Sequence, residues 1–334
     1  MRLKLVPETT NLNFFKFQTI TFGVSTLAVI ASIVLFAVVG LNYGIDFRGG
    51  SVIMTETPMP VATQEYRDLL NELEVGDATV SEITDPAAEL TGAAQNSALI
   101  RIEQQDGEAA IQNETVQMVV NALQERFDGL TILSTESVGA KVSGELVQAG
   151  ILAVALAVAA VLFYIWLRFE WQFALGAVAA LVHDVILTIG VFSLVGLQFN
   201  LAIIAAILTI VGYSLNDTVV VFDRVRENLR RYKQMTLKDL LNLSLNETLS
   251  RTVMTSLTTL IALIALYVLG GEVIRGFTFA MIWGVVVGTY SSVFVASPIL
   301  LRLDVKRDWS KDGDGEGPAK GPRKGGSKFA HIDA

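Results

Sequence analysis

Apolar positions along the chain gather into six runs of spanning length, at 18–41, 147–167, 172–195, 200–222, 253–270 and 277–301. A bilayer's hydrocarbon core takes about 20 helical residues. Only a helix or a closed barrel satisfies every backbone polar group inside lipid, so each run predicts a transmembrane helix. Between the first and second runs the pattern changes. "GGSVIMTET" (49–57) reads as extended and "VATQEYRDLLNELE" (61–74) as helical, while "ATVSEIT" (78–84) and "SALIRIE" (97–103) alternate. A second helix runs from about Glu108 to Phe127, with Ile111, Val116, Val119, Val120, Leu123 and Phe127 on one face. "LTILSTESV" (130–138) closes the unit as a strand. Strand–helix–strand–strand–helix–strand is the split βαβ, ferredoxin-like order. The intervening "DPAAELTGAAQNS" (85–97) is expected to be an exposed loop.

The expected organisation follows. Residues 1–41 form an amino-terminal segment and first span; 42–146 form one ferredoxin-like extracytoplasmic domain; 147–303 form a five-helix transmembrane bundle. Inside that bundle, 223–252 is expected to be a cytoplasmic loop carrying its own interfacial helix. Leu237, Leu240, Leu241, Leu245 and Leu249 recur at helical spacing, behind a capping box at Thr236 and Asp239. From 304 to 334, "KDGDGEGPAKGPRKGGSK" is rich in Gly, Pro and Lys and predicts a disordered tail. The first run is 24 residues long, beyond the signal-peptide apolar region of about 7–15, so it is expected to stay as an anchor. The fold class is thus an α-helical polytopic membrane protein with one small α+β domain.

Charge adds an orientation. Lys and Arg number three in the amino terminus, one in the 168–171 turn, seven in 223–252 and eight in the tail. The 42–146 segment holds five and the 271–276 turn one. By the positive-inside rule both termini face the cytoplasm and 42–146 lies outside. The composition agrees with membrane residence: 52% hydrophobic, 17% charged, mean hydropathy +0.51. The net charge of −8 over 334 residues points away from nucleic acid. With no cysteine there are no disulfides and no thiolate chemistry. One of two histidines, His331, falls in the tail, which argues against a histidine-rich metal site. No GxxxxGK[ST] loop occurs, so nucleotide hydrolysis by that route is not expected.

The candidate chemistry lies in polar residues within the spans. "GYSLNDTVVVFDRVREN" (212–228) places Asp217 inside the fourth run, about 9 Å from a midpoint near Val211 at 1.5 Å per residue. A charged carboxylate near the bilayer centre costs about 2.5–3.5 kcal/mol even on insertion scales. Tyr213, Ser214, Asp217 and Arg224 form one stripe, so Asp217 is expected to face other helices or water, with Asn216 and its neighbours in support. His183 and Asp184 sit near the middle of the third span, and Ala177, Ala180 and Thr188 let another helix approach. Arg251 stands at the mouth of the fifth span, at a depth comparable with Asp217. Structural alternatives exist for each: a buried hydrogen-bonding group for Asp217, a helix–helix contact for His183-Asp184, a headgroup anchor for Arg251. Asp223 with Arg224 and Arg226 reads as a solvated cap and local ion pair. Gly284 and Gly288 fit small-xxx-small helix packing. A carboxylate that gains and loses a proton, beside an arginine that can move, is a means of using a proton gradient, and Asp217, Arg251, Asp184 and His183 are the candidate proton-coupling residues.

The motifs "GIDFRGG" (44–50), "HDV" (183–185), "GYSLNDTVVVFDRVREN" (212–228) and "NETLSRTVMTS" (246–256) resemble the SecF family of bacterial protein-export membrane proteins. That family lies within the resistance–nodulation–division (RND) superfamily, and the resemblance covers about residues 14–303. It implies a half of a twelve-span assembly completed by SecD, working with the SecYEG translocon on exported unfolded polypeptide in the lipid bilayer. It also implies protons as the coupling ion with no other cofactor, Asp217 as the proton-relay aspartate and Arg251 as the motif arginine of the fifth span. An RND-type small-molecule or lipid transporter half, or a translocon scaffold without a proton step, are the alternative readings.

Overall fold

The computed structural model describes residues 10–83, 96–103, 109–303 and Val305. All of the expected tail except Val305, which is buried, and most of the expected 85–97 loop lie outside these residues; Asn96 and Ser97 belong to a strand.

A short 3-10 turn at Phe14–Phe17 leads into α1 (Gln18–Val38). Then come β1 (Asn42–Tyr43), a one-turn α2 (Ile45–Arg48) and β2 (Gly50–Thr57). The domain continues with α3 (Thr63–Glu72), β3 (Ala78–Ile83), β4 (Asn96–Ile102), α4 (Ala109–Arg126) and β5 (Thr131–Val138). The sheet order is β3-β4-β2-β5, with every neighbouring pair antiparallel. This is the ferredoxin-like arrangement that the alternation and the two amphipathic helices predict. Ile100 faces Ile53 on one side and Val80 on the other across the ladder. Tyr66, Leu70, Val119 and Leu123 cover that sheet face, and all are buried. Gly49 and Gly50 turn the chain out of α2 at φ 76° and 113°, a region side-chain-bearing residues avoid.

The spans that follow are α5 (Ala140–Arg168), α6 (Trp171–Val195), α7 (Leu201–Arg231), α8 (Leu237–Leu269) and α9 (Glu272–Ser291). The last helix continues through a π-helical turn at Ser292–Ala296 into α10 (Ser297–Arg302). Among the described residues, six helices are long and apolar enough to cross a membrane. Three of these form the centre: 44% of the apolar window of α6, 50% of α7 and 61% of the α9–α10 span are buried. The windows of α1, α5 and α8 are 11%, 6% and 11% buried, so these helices turn most of their surface outward.

The stretch 223–252 departs from its expected form. It is no loop with a separate helix: α7 runs on to Arg231 and α8 starts at Leu237, unbroken into the fifth span. No Gly or Pro interrupts 237–269, so nothing ends the helix where the apolar run begins. Leu240, Leu241 and Leu245 are buried in the bundle's largest cluster rather than lying on a membrane surface. The cap is as expected, with Thr236 Oγ1 accepting from the Asp239 amide at 3.2 Å and donating to its carboxylate at 2.6 Å.

The domain is tied to the bundle at its neck. β1 pairs in parallel with β6 (Gln198–Phe199), the link between α6 and α7. The Gly44 amide donates to the Phe199 carbonyl at 2.8 Å, and a Cβ at Gly44 would come within 2.8 Å of the Gln198 amide nitrogen. Asp46 accepts from the Leu201 amide at 2.8 Å, holding the first turn of α7. "GIDFRGG" is therefore a joint between domain and membrane helices.

Candidate functional site

Asp184 and His183 lie on α6 where it meets α7 and α9, and both are buried. Small residues allow this contact. A Cβ on Gly284 would overlap the Ile210 side chain, reaching 2.7 Å from its Cγ2, and one on Gly288 would lie 2.9 Å from Ser214 Cβ. The close approach of α7 and α9 brings two hydroxyls to one carboxylate oxygen. Ser214 Oγ donates to Asp184 Oδ2 at 2.6 Å and Ser291 Oγ donates to the same oxygen at 2.8 Å. Oδ1 lies 2.9 Å from His183 Nδ1. Two hydroxyl donors and one imidazole nitrogen thus converge on a carboxylate shut away from water. His183 Nε2 is buried without a hydrogen-bond partner. Its ring stacks on Tyr290, whose hydroxyl donates to the Thr21 carbonyl at 3.1 Å and meets Ser25 Oγ at 3.0 Å. The cluster thus spans α1, α6, α7 and α9.

Ser291 went unnoticed in the sequence. It sits next to Ser292 at the end of an apolar run, and the π turn begins at Ser292, with Ser297 Oγ donating back to the Ser292 carbonyl at 3.1 Å. A serine pair ahead of Pro298 was the available signal, since π turns gather at functional sites.

Asp217 is on the buried side of α7, 3% exposed, and its Oδ2 is buried with no hydrogen-bond partner. Arg251, on α8, is exposed, and its charge acts on the Asp217 carboxylate. No ion pair within 4 Å joins the two among the described residues. The expected supporting residues divide. Ser214 is one turn from Asp217 but turns to Asp184, because α6 and not the same helix supplies its acceptor. Asn216 is exposed, pointing away from the buried stripe, since it falls about 100° round the helix from Asp217. Tyr213 is half-buried and its hydroxyl reaches Thr259 Oγ1 on α8 at 3.4 Å.

At the end far from the domain, the expected local ion pair is present, Arg226 reaching Asp223 at 3.9 Å, and cross-helix partners add to it. Arg168 at the end of α5 reaches Asp223 at 3.0 Å. Arg224 donates to Glu247 on α8 at 2.7 Å and to Glu227 at 2.6 Å. Asn228 donates to the same Glu247 oxygen at 2.7 Å and to Ser244 at 3.0 Å. Further along α8, Ser256 and α9 Thr289 bond at 2.7 Å. A lane of hydroxyl and carboxamide groups therefore follows the α7–α8–α9 contact. No group of three metal-ligating side chains occurs among the described residues.

Comparisons with known proteins identify this architecture. Residues 118–306 match the model of the protein export membrane protein SecD/SecF C-terminal family, and 34–53 match the SecD/SecF GG motif. Protein translocase subunit SecF of Cereibacter sphaeroides is 53% identical over 333 residues, covering 100% of this chain and 99% of that one. Protein translocase subunit SecDF of Brucella abortus is 42% identical over 91% of this chain, which spans 39% of the relative's length. The crystal structure of SecDF, a translocon-associated membrane protein from Thermus thermophilus, superposes with a TM-score of 0.80 at 32% identity. That match covers 91% of this chain and 40% of the solved one. The GG motif falls on the neck built by Gly44, Gly49 and Gly50, and the C-terminal family model on the bundle that encloses Asp184 and Asp217. The chain belongs to the SecD/SecF family of protein export membrane proteins.

Proposed function

We propose that this chain is a non-enzymatic, proton-coupled subunit of the Sec protein-export machinery in a bacterial inner membrane, with both termini cytoplasmic and the ferredoxin-like domain periplasmic. The observation that carries the proposal is Asp217: a carboxylate 3% exposed in the helical core, with an unpartnered oxygen and the Arg251 charge within its field. A permanently ionised acid has no reason to sit there, whereas one that takes up and releases a proton does. Protonation removes the attraction that holds Arg251 towards α7, and deprotonation restores it. Moving one charge through 100 mV supplies about 2.3 kcal/mol, enough to bias a helix rearrangement. Asp184, with His183, Ser214 and Ser291, holds α6, α7 and α9 in register around that event. Protons are the coupling ion, and no other cofactor, nucleotide or nucleic acid is involved.

The partner is a SecD half. Chains named SecDF match 91% of this chain within about two fifths of their own length, which supports reading the remainder as what a separate subunit supplies here. SecYEG is the channel served and unfolded exported polypeptide the cargo. The relatives' names favour export over a small-molecule or lipid transporter.

The test is gradient-dependent completion of polypeptide translocation in membrane vesicles carrying Asp217→Asn, with Asp184→Asn alongside. The Asp217 variant should insert normally and lose the increment that a proton gradient provides. A full increment in that variant would show a scaffold with no proton step.

A further inference from the structure

We infer that the end of the bundle far from the domain carries a binding site for a doubly phosphorylated anionic headgroup, the chemistry of a glycerol-bridged diphosphatidyl lipid. An open cleft of about 530 Å³ lies between the end of α5 and the last two turns of α7. It is lined by Arg168, Asp223, Arg226, Glu227, Arg230 and Arg231. Four guanidinium groups thus meet two carboxylates. Both carboxylates are already engaged: Asp223 by Arg168 at 3.0 Å and Arg226 at 3.9 Å, and Glu227 by Arg224, which approaches from outside the cleft, at 2.6 Å. Arg168 and Arg230 act on Arg226 with like charge, and Asp223 and Glu170 with opposite charge. Four cations against two anions leave the lining net positive, with Arg230 and Arg231 exposed on its rim.

Its position selects the kind of anion. Arg168 lies between Trp166 and Trp171, which are 67% and 62% exposed and mark the headgroup level at this end of the bundle. α5, which forms one wall, is the least buried of the spans, so the cleft opens towards lipid. Phe169 stiffens the floor, with the Arg168 and Arg226 guanidiniums 5.3 and 5.4 Å from its ring. Arg226 also donates to the Arg168 carbonyl at 3.3 Å, fixing its fork. Planar forks pre-set in this way suit phosphate oxygens better than a single flexible ammonium does. Basic pockets between membrane helices at this depth recognise anionic headgroups.

The proposal is tested on the full chain purified in detergent, by native mass spectrometry and thermal unfolding, with added diphosphatidylglycerol, phosphatidylcholine or inorganic pyrophosphate. Diphosphatidylglycerol should be retained and should raise the midpoint, while phosphatidylcholine should do neither. Arg230→Gln combined with Arg231→Gln removes two rim charges without touching the Phe169 floor, and should weaken diphosphatidylglycerol about thirty-fold. The double variant's midpoint without added lipid should match the parent, which separates lost binding from misfolding. Unchanged retention in the double variant would overturn the site. Pyrophosphate raising the midpoint as much as the lipid would overturn the lipid as its source and leave a soluble phosphate ligand.

Discussion

Gly284→Ala should loosen the contact between α7 and α9 that the whole polar cluster depends on. A Cβ at this position would overlap the Ile210 side chain at three carbons, Cγ1, Cδ1 and Cγ2. Ile210 is 1% exposed, and a β-branched residue in a helix has one favoured χ1, so its side chain cannot swing aside. The backbones must separate, and inserting one methyl into such a packed contact costs about 1–3 kcal/mol. Against this stands the gain of Ala over Gly in a helix, about 0.8–1 kcal/mol, so the net loss falls at about 0–2 kcal/mol. Gly212 isolates the helical gain: it lies on exposed α7 surface and a Cβ there meets nothing within 4 Å. Gly212→Ala should therefore be neutral or stabilising. Thermal unfolding of the full chain in detergent should place Gly284→Ala below both the parent and Gly212→Ala. Ile210→Val removes Cδ1, one of the three overlapping atoms, so Gly284→Ala should lose less stability in the Ile210→Val background than in the parent. Equal losses in the two backgrounds, or a Gly284→Ala variant as stable as Gly212→Ala, would refute the steric account.

Two further outcomes follow from the same geometry. Ser291→Ala takes away one of the two hydroxyl donors on Asp184 Oδ2 and should cost about 1.5–3 kcal/mol, the range for a hydrogen bond to a charged group. Measured in the Asp184→Asn background the cost should shrink, and an unchanged value would show that Ser291 acts through something other than the carboxylate. In the domain, Ile100→Ala empties a fully buried site between Ile53 and Val80 and should cost about 2–5 kcal/mol. Hydrogen exchange should then rise across β2, β3 and β4 while the α6–α7–α9 contact stays protected.

Much of the architecture is legible along the chain because it rests on local rules. Period-two alternation in 78–84 and 97–103, and the 3.6-residue stripe from Val116 to Phe127, record which side of each element meets a core. Apolar runs of spanning length record immersion in lipid. That Asp217 avoids lipid follows from the cost of its charge. These features need no knowledge of any other segment, and the family motifs lie on them in order.

Partner choice inside the bundle is different, because it is made between helices by residues 30 to 107 positions apart. Ser291 reaches Asp184 across 107 positions, and no periodicity in either helix announces the bond. Ser214 looks, by spacing, like a neighbour of Asp217, yet its hydroxyl serves the carboxylate of α6. Asp223 keeps the local pair with Arg226 that proximity in sequence suggests, yet its shorter contact is with Arg168 of α5, which no local pattern announces. The length of α8 was also hidden, because a hydropathy run ends where lipid ends, whereas a helix ends where its backbone is stopped. The sequence by itself determined which segments are immersed, which faces are apolar and that an acid is buried in the fourth span. Tertiary structure decided which donors meet which acid, because hydrogen bonds act over about 3 Å and only helix packing sets such distances.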